Sequence, residues 1–225
     1  MGILVEGLRE LLWPTRCAGC DLPGSLLCET CRESLALVDP ETACPRCGAP
    51  HGWLVCTECW NSEFPFVDAV SAGLLQPPLS RMVVLHKDSH ERRLAGVMAE
   101  LLVVPVRERE WKPDVVCGVP ASRAAISRRG FDHGAALAQA LACRMDRPYE
   151  KLLTREKVLD QRGLGRDDRA ANALDSFALS GQTMGRDILV VDDVFTTGAT
   201  LSGAAAVLMA AGASRVRVAA VARVW

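Results

Sequence analysis

The sequence predicts an α/β fold in which a mainly parallel sheet is flanked by helices and preceded by a small cysteine-rich unit. After residue 64 the predicted strands and helices alternate, strand 188–191 is a continuous apolar run, and strand 215–223 is largely apolar. Such runs are typical of parallel strands that are buried on both faces. Eight of the ten cysteines lie before residue 60. With 225 residues, 49% of them hydrophobic, the chain can form one ordinary domain and a small appendage.

The periodicity of apolar residues predicts the elements in order. An amphipathic helix over 2–13 ends at Pro14, and the cysteine-rich segment occupies 16–60. The strand at 64–75 begins a second unit, so the expected domains are 1–63 and 64–225. The remaining predicted helices span 77–86, 91–104, 133–144 and 199–211, and the remaining strands span 114–119, 149–153, 175–179, 187–191 and 215–223. A Gly- and Arg-containing loop is expected up to residue 130, and the polar segment 154–173 has the length of a functional lid.

The cysteines of the first unit form four Cys-x-x-Cys pairs: Cys17 with Cys20, Cys28 with Cys31, Cys44 with Cys47, and Cys56 with Cys59. Each pair presents two sulfurs to one ion, and two pairs complete a tetrahedral all-cysteine site. Eight ligands therefore predict two structural Zn²⁺ sites. A redox Cys-x-x-Cys and a single occupied site are the alternatives, and the spacing leaves open which pairs share an ion. The other two cysteines, Cys117 and Cys143, lie among apolar residues and are expected to be buried.

Charge is unevenly distributed, although the net charge is only −1. Residues 1–66 hold 4 Lys or Arg against 9 Asp or Glu, whereas residues 119–170 hold 11 against 7. The basic excess suits a phosphate-bearing ligand or a solvated arginine-rich surface, and the acidic first unit suits structure or partner docking. No apolar run approaches the roughly 20 residues that cross a bilayer, and Glu6 and Glu10 stand where a secretory signal carries basic residues. We therefore expect a cytoplasmic protein without membrane insertion.

A short stretch at 188–201 carries the chemistry. Its buried strand leads into two adjacent carboxylates, Asp192 and Asp193, and a loop of small residues then opens directly into a helix. A helix N-terminus after a parallel strand is an anion site, and paired carboxylates accept hydrogen bonds from vicinal hydroxyls, so we predict a ribose-phosphate cradle. An Asp-capped helix after a core strand is the alternative. The predicted phosphate-binding residues are Thr196, Thr197, Gly198, Ala199 and Thr200, with Gly198 allowing the backbone to approach the phosphate closely.

The same stretch resembles the motif with which type I phosphoribosyltransferases bind the ribose and 5-phosphate of phosphoribosyl pyrophosphate (PRPP). The segment GVPASRAAISRRGFDHGAALAQAL at 118–141 resembles the pyrophosphate-loop region of the ComF family of competence-associated, phosphoribosyltransferase-like proteins. The basic residue Lys87 and the four cysteine pairs resemble features of that family, as does a motif made of Gln161, Leu164, Arg169, Asn172 and Phe177. The sequence departs from the family at Asp132 and His133, where members often have Asn-Gln.

The resemblance implies a type I phosphoribosyltransferase fold and a role in DNA uptake or natural transformation. It also implies a reaction in which Mg²⁺-bound pyrophosphate is displaced from PRPP. The catalytic residues that the resemblance implies are Asp192, Asp193, Arg123 and Arg129. Candidates for the pyrophosphate contact, and for a hood formed by 154–173 over the sugar, are Lys87, Arg128, Gln161 and Arg169. The implied partners are PRPP, single-stranded DNA, and a competence helicase or other uptake proteins docked on the zinc ribbon. The acceptor is left open, as are two alternatives: binding of PRPP, nucleotide or DNA without transfer, and a scaffold held together by zinc.

Overall fold

The computed structural model describes residues 14–50, 52, 54–89, 91–155 and 176–225. The helix predicted at 2–13, most of the predicted hood, and the candidates Gln161 and Arg169 lie outside the described residues. In the described part, the helices are α1 (Glu29–Glu33), α2 (Thr57–Trp60), α3 (Leu79–Asp88), α4 (Leu94–Glu108), α5 (Arg123–Arg129), α6 (His133–Met145) and α7 (Ala199–Ala210). The strands are β1 (Ala69–Leu74), β2 (Val115–Gly118), β3 (Leu153–Arg155), β4 (Phe177–Leu179), β5 (Asp187–Phe195) and β6 (Arg215–Arg223), and a 3₁₀ turn spans Pro40–Thr42.

The four longest strands form one parallel sheet in the order β1-β6-β5-β2, and β3 pairs with β4 in a separate antiparallel ribbon. Side chains of β5 alternate between two apolar layers: Leu189 and Val191 pack with α3, α4 and α6, whereas Ile188 and Val190 pack with α7. This alternation follows from the two-residue period of a strand. It confirms the predicted parallel sheet with helices on both faces. Within the described ranges, no helix is both long and apolar enough to span a membrane.

β5 extends four residues beyond its predicted end at 191, because its pairing with β6 continues to Phe195. In this register Asp192 lies opposite Ala220, and Phe195 lies opposite Arg223. β6 itself has nine residues, so it offers main-chain partners over the whole length. The two adjacent carboxylates therefore belong to the end of the strand, and their side chains point to opposite faces of the sheet.

A seven-residue helix, α5, occupies part of the segment predicted as a loop. The Ser122 side chain caps it by accepting a hydrogen bond from the Ala125 amide at 3.2 Å, and Gly130 ends it in the left-handed conformation. The helix is too short and too rich in arginine to show an apolar stripe. Periodicity alone therefore could not reveal it.

The cysteine-rich unit packs on the edge strand β1. Leu37 forms an antiparallel bridge with Gly73, and the Val38 amide donates a hydrogen bond to the Ala72 carbonyl at 3.0 Å. Cysteines of this unit enter both apolar layers of the sheet. The first unit is thus joined to the sheet by main-chain hydrogen bonds and by a shared core, and the division into domains 1–63 and 64–225 stays a prediction.

Candidate functional site

The eight paired cysteines gather into two groups of four, which we call the first tetrad and the second tetrad. The first tetrad is Cys17, Cys20, Cys28 and Cys31, and the second is Cys44, Cys47, Cys56 and Cys59. In each tetrad the four sulfurs lie within 4.8 Å of one another. The two share one design, because an antiparallel bridge closes the turn that carries the first pair and a short helix starts at the second pair. The structure thus answers which pairs belong together.

Both tetrads fit a zinc ion. Four thiolates at about 2.3 Å from zinc lie about 3.8 Å from one another, and the sulfur separations are 3.6 Å for Cys17–Cys28 and 3.7 Å for Cys47–Cys56. The amides of Cys28 and Cys56 donate to the sulfurs of Cys17 and Cys44, each at 3.3 Å. Burial disfavours the Cys17 thiolate, but backbone amide donors outweigh it and hold the pKa of that thiol at about 6. Such sulfurs are prepared to bind a metal as thiolates.

The tetrads differ in their surroundings. All four cysteines of the second tetrad are buried in the apolar layer that contains α7, whereas Cys20 of the first tetrad is exposed. Of the other two cysteines, Cys117 is buried, as predicted. The prediction for Cys143 is wrong, because this thiol lies on the exposed side of α6 while Leu141 and Ala142 fill the core side.

Asp192 and Asp193 lie at the carboxyl end of β5, and they are only 7% and 4% exposed. One carboxylate oxygen of Asp192 accepts a hydrogen bond from the Asp193 amide at 2.9 Å. Burial, followed by the charge of Asp193, raises the pKa of Asp192 to about 8. Asp192 is therefore largely protonated at neutral pH when no ligand or cation is bound.

Side chains from two helices contact Asp193, and a third helix supports one of them. The Lys87 ammonium lies 3.0 Å from Asp193 Oδ2, and His133 Nε2 lies 3.7 Å from the same oxygen. On the far side of the imidazole, Arg129 lies 3.4 Å from His133 Nδ1 and forms an ion pair of 2.9 Å with Asp88. Burial lowers the pKa of His133 although the charge of Asp193 opposes this shift. The ring is therefore neutral at pH 7.

Two glycines bring α6 to this edge of the sheet. A Cβ atom on Gly118, at the end of β2, would collide with the carbonyl of Gly134, and one on Gly134 would collide with the carbonyl of Val119. Only glycine at both positions allows the first turn of α6 to lie directly on the strand end. This close approach places His133 beside Asp193.

The predicted phosphate loop, residues 196–198, connects β5 to α7. Thr196 and Thr197 are exposed, and the Thr197 hydroxyl accepts a hydrogen bond of 3.4 Å from the Ala199 amide. Ala199 and Thr200, both half-buried, form the start of α7. The amides of a first helical turn lack partners within the helix and are suited to bind an anion.

Gly198 has a structural role beside the predicted one. Its φ of +81° is in the left-handed region, and a Cβ atom would lie 2.8 Å from Cζ of Phe195 and 3.3 Å from Cε1 of Phe64. The hydrogen that a side chain would replace thus faces the aromatic rings of the core. Gly198 is required for the turn and for these rings, and its role in allowing the backbone to approach a phosphate stays a prediction.

The three arginines of α5 have different environments. Arg123 and Arg128 are exposed, as a contact with pyrophosphate requires. The guanidinium of Arg129 is buried and bound to Asp88. Arg129 is therefore already paired within the protein and contacts His133, and its predicted catalytic role stays a prediction.

Sequence reasoning missed several residues of this region. His133 was visible only as a departure from the family pattern. Arg223 could have been noticed, because it is an arginine that ends the largely apolar run 215–223. The structure shows that its side chain is buried. Asp88 and Glu58 gave no signal, because their roles depend on partners that lie far away in the sequence.

Residues 89–224 match the phosphoribosyl transferase domain. The chain is 31% identical to DNA utilization protein YhgH of Escherichia coli O6:H1 over 220 residues, which cover 91% of this chain and 95% of YhgH. It is 27% identical to competence protein F of Haemophilus influenzae, covering 85% and 88% of the two chains, and 26% identical to competence protein ComFC of Streptococcus pneumoniae, covering 86% of each. Because the domain match spans more than half of the chain and these relatives match most of its length, the chain belongs to the ComF family of proteins with a phosphoribosyltransferase domain.

Proposed function

We propose that the chain binds PRPP and transfers its ribose 5-phosphate to an acceptor, with loss of pyrophosphate. In this reaction the bond between ribose C1 and a pyrophosphate oxygen breaks, and pyrophosphate keeps the electron pair. A lone pair of the acceptor forms the new bond to C1, and the acceptor loses a proton. The observation that best supports the proposal is the buried pair Asp192 and Asp193 at the end of β5, immediately before the phosphate loop.

The carboxylate pair is suited to hold the two ribose hydroxyls. A buried carboxylate needs hydrogen-bond donors or cations, and each ribose hydroxyl supplies a donor. The first turn of α7 would bind the 5-phosphate at the other end of the sugar. As pyrophosphate leaves, positive charge develops on the ribose ring, and an ionised carboxylate fixed nearby stabilises that charge.

Mg²⁺ suits this site because phosphate, hydroxyl and carboxylate oxygens are its preferred ligands. We propose that PRPP oxygens would hold the ion, with Asp192 and Asp193 as the candidate protein ligands. When bound, Mg²⁺ would neutralise charge on the departing pyrophosphate. The exposed Arg123 and Arg128 are assigned to pyrophosphate, and each charge-assisted hydrogen bond contributes about 1.5–3 kcal/mol. Gln161 and Arg169 remain the hood candidates.

Release of pyrophosphate from PRPP and Mg²⁺ tests transfer directly, with nucleobases and single-stranded DNA offered in turn as acceptors. We expect release with one acceptor class. The double variant Asp192→Asn/Asp193→Asn should keep its stability, yet bind ribose 5-phosphate at least about tenfold more weakly, or about 1.4 kcal/mol. Asp68→Asn is the matched control. Asp68 is a half-buried acid that directly precedes β1, so it lies at the amino ends of the parallel strands, away from the site. A double variant that melts much lower but binds PRPP normally would show that the carboxylates are structural.

A second candidate function is binding of PRPP, nucleotide or single-stranded DNA without transfer. The exposed arginines Arg123 and Arg128 favour it, since unpaired strands are bound largely through their phosphates, and the relatives carry names that refer to DNA utilization and competence. In this case the cysteine-rich unit would dock a competence helicase or another uptake protein in the cytoplasm. Fluorescence anisotropy with a labelled oligonucleotide tests it: Arg123→Ala/Arg128→Ala should weaken binding and reduce its salt dependence. PRPP binding without release of pyrophosphate in the presence of any tested acceptor would favour this function over transfer.

A further inference from the structure

Arg223, the last residue of β6, holds the beginning of the phosphate loop. The residue is 2% exposed, and its Nη1 donates hydrogen bonds to the carbonyl oxygens of Phe195 at 3.3 Å and Thr196 at 2.7 Å. A further hydrogen bond goes to the Val224 carbonyl, and the guanidinium lies 4.8 Å from the centre of the Phe195 ring. These contacts fix the residues that lead into α7. They thereby fix the orientation of the amides that begin this helix.

On its other side, the same guanidinium contacts α2, the short helix that carries Cys59 of the second tetrad. Its Nη2 lies 3.2 Å from Oε2 of Glu58, and Glu58 lies in α2 between the ligands Cys56 and Cys59. A cavity of about 740 Å³ lies between the tetrad and the phosphate loop. Residues of both sides line it, among them Cys47, Cys59, Thr196, Thr197 and Arg223. Arg223 thus connects the two walls of this cavity.

The connection depends on the geometry of α2. Glu58 is 60% exposed, so burial does not hold its side chain in place, and α2 has only four residues. A helix this short is not stable by itself, and its position is set by the two cysteines within and before it. Metal ligation by Cys56 and Cys59 would therefore determine where Glu58 presents its carboxylate. A buried guanidinium keeps its charge, and its N–H groups need hydrogen-bond acceptors. The position of the Glu58 carboxylate therefore affects the position of the Arg223 guanidinium relative to the phosphate loop.

We propose that Arg223 is a positioning residue through which metal binding at the second tetrad strengthens ribose-phosphate binding at the phosphate loop. The inference rests on the proposed function, since it needs the loop to be the phosphate site. Coupling between two ligands is reciprocal in binding free energy, so ribose phosphate must also tighten metal binding at this tetrad. The first tetrad packs in the other apolar layer of the sheet and serves as the internal reference.

The test is a zinc competition titration of the zinc-loaded full chain against a chromophoric chelator, with and without saturating ribose 5-phosphate. We expect ribose 5-phosphate to tighten one of the two zinc equivalents by at least about fivefold and to leave the other unchanged. Arg223→Lys keeps the charge but loses the planar guanidinium with its several N–H donors. The protection of zinc against the chelator by ribose 5-phosphate should therefore disappear in this variant. Glu58→Gln changes an exposed side chain and should fold normally, yet it should also reduce the protection. The matched control is Arg81→Ala, because Arg81 donates a hydrogen bond of 2.7 Å to the carbonyl of Gly19, which lies between Cys17 and Cys20 of the first tetrad.

The outcomes separate the inference from the proposed function. If calorimetry shows that the wild-type chain does not bind ribose 5-phosphate, the proposed function fails and the inference fails with it. If ribose 5-phosphate binds but both zinc equivalents keep their affinities, the coupling is wrong and the proposed function stands. Full protection in Arg223→Lys or in Glu58→Gln would also overturn the coupling, as would loss of protection in Arg81→Ala.

Discussion

Lys87 and Asp193 form an ion pair of 3.0 Å across 106 positions of the chain. The carboxylate is almost inaccessible, whereas the lysine side chain is about one-third exposed. The lysine therefore supplies a cation to an acid that is buried at the edge of the sheet. We infer that it neutralises the site until ribose hydroxyls or Mg²⁺ arrive.

Removal of this cation should destabilise the ligand-free protein. Lys87→Met leaves Asp193 buried beside a neutral side chain, so we expect the free energy of unfolding to fall by about 1–3 kcal/mol in urea denaturation at pH 7. Lys87→Arg should retain most of the stability. Addition of Asp193→Asn to Lys87→Met should recover part of the loss, because the unpaired carboxylate is then gone. Equal stabilities for Lys87→Met and the wild-type chain would show that the ion pair contributes nothing.

The stability of the ligand-free protein should depend on pH through Asp192. The ordinary Asp pKa is 3.8, whereas burial and Asp193 raise the pKa of Asp192 in the folded protein to about 8. The folded state keeps a proton that the unfolded state releases, so this group's contribution is complete below pH 4 and is lost as pH rises to about 8. Titration of this group changes the free energy of unfolding by at most about 1.4 kcal/mol per pH unit.

Urea denaturation of the zinc-loaded protein between pH 5 and 8 checks this expectation. Asp192→Asn can still accept the hydrogen bond from the Asp193 amide, but it cannot ionise. The variant should therefore become more stable relative to the wild-type chain as pH rises. Parallel stability curves for the two proteins would contradict a raised pKa at this position.

Local patterns account for what the sequence predicted correctly. The apolar run of β5, the two acids after it and the small-residue loop are contiguous, and each Cys-x-x-Cys pair is a local turn. Lys87 and Arg223 could not be placed in the same way, because their partners lie 106 and 165 positions away. The direction of the missing side chain at Gly198 depends on the sign of φ, which the sequence does not show. The pairing of Arg129 with Asp88 could not be predicted either, because nothing in the sequence indicated it.

Cys44 and Cys20 provide a matched test of the two tetrads. We expect two zinc ions per chain by elemental analysis and one fewer in either Ser variant. Cys44 lies in the same apolar layer as Val190 and Val218 of the sheet, so Cys44→Ser should lower the stability of the whole chain. Cys20 is exposed, and Cys20→Ser should cost less. Wild-type protein with one zinc ion or none would reject the two sites, and unchanged hydrogen-exchange protection of β5 in Cys44→Ser would reject the shared core.

Gly198→Ala should weaken both the fold and the binding of ribose 5-phosphate. The left-handed φ costs an alanine about 1–2 kcal/mol, and the new methyl group would lie 2.8 Å from a Phe195 ring that Arg223 holds from another side. The ring or the loop must therefore move, and movement of the loop displaces the amides that begin α7. Gly185→Ala is the control, because Gly185 also has a positive φ of +73° but has no atom within 4 Å of the added carbon. We expect both variants to lose stability in urea denaturation and only Gly198→Ala to lose ribose 5-phosphate affinity by calorimetry; equal affinity in the two variants would show that contact with Phe195 does not set the geometry of the phosphate loop.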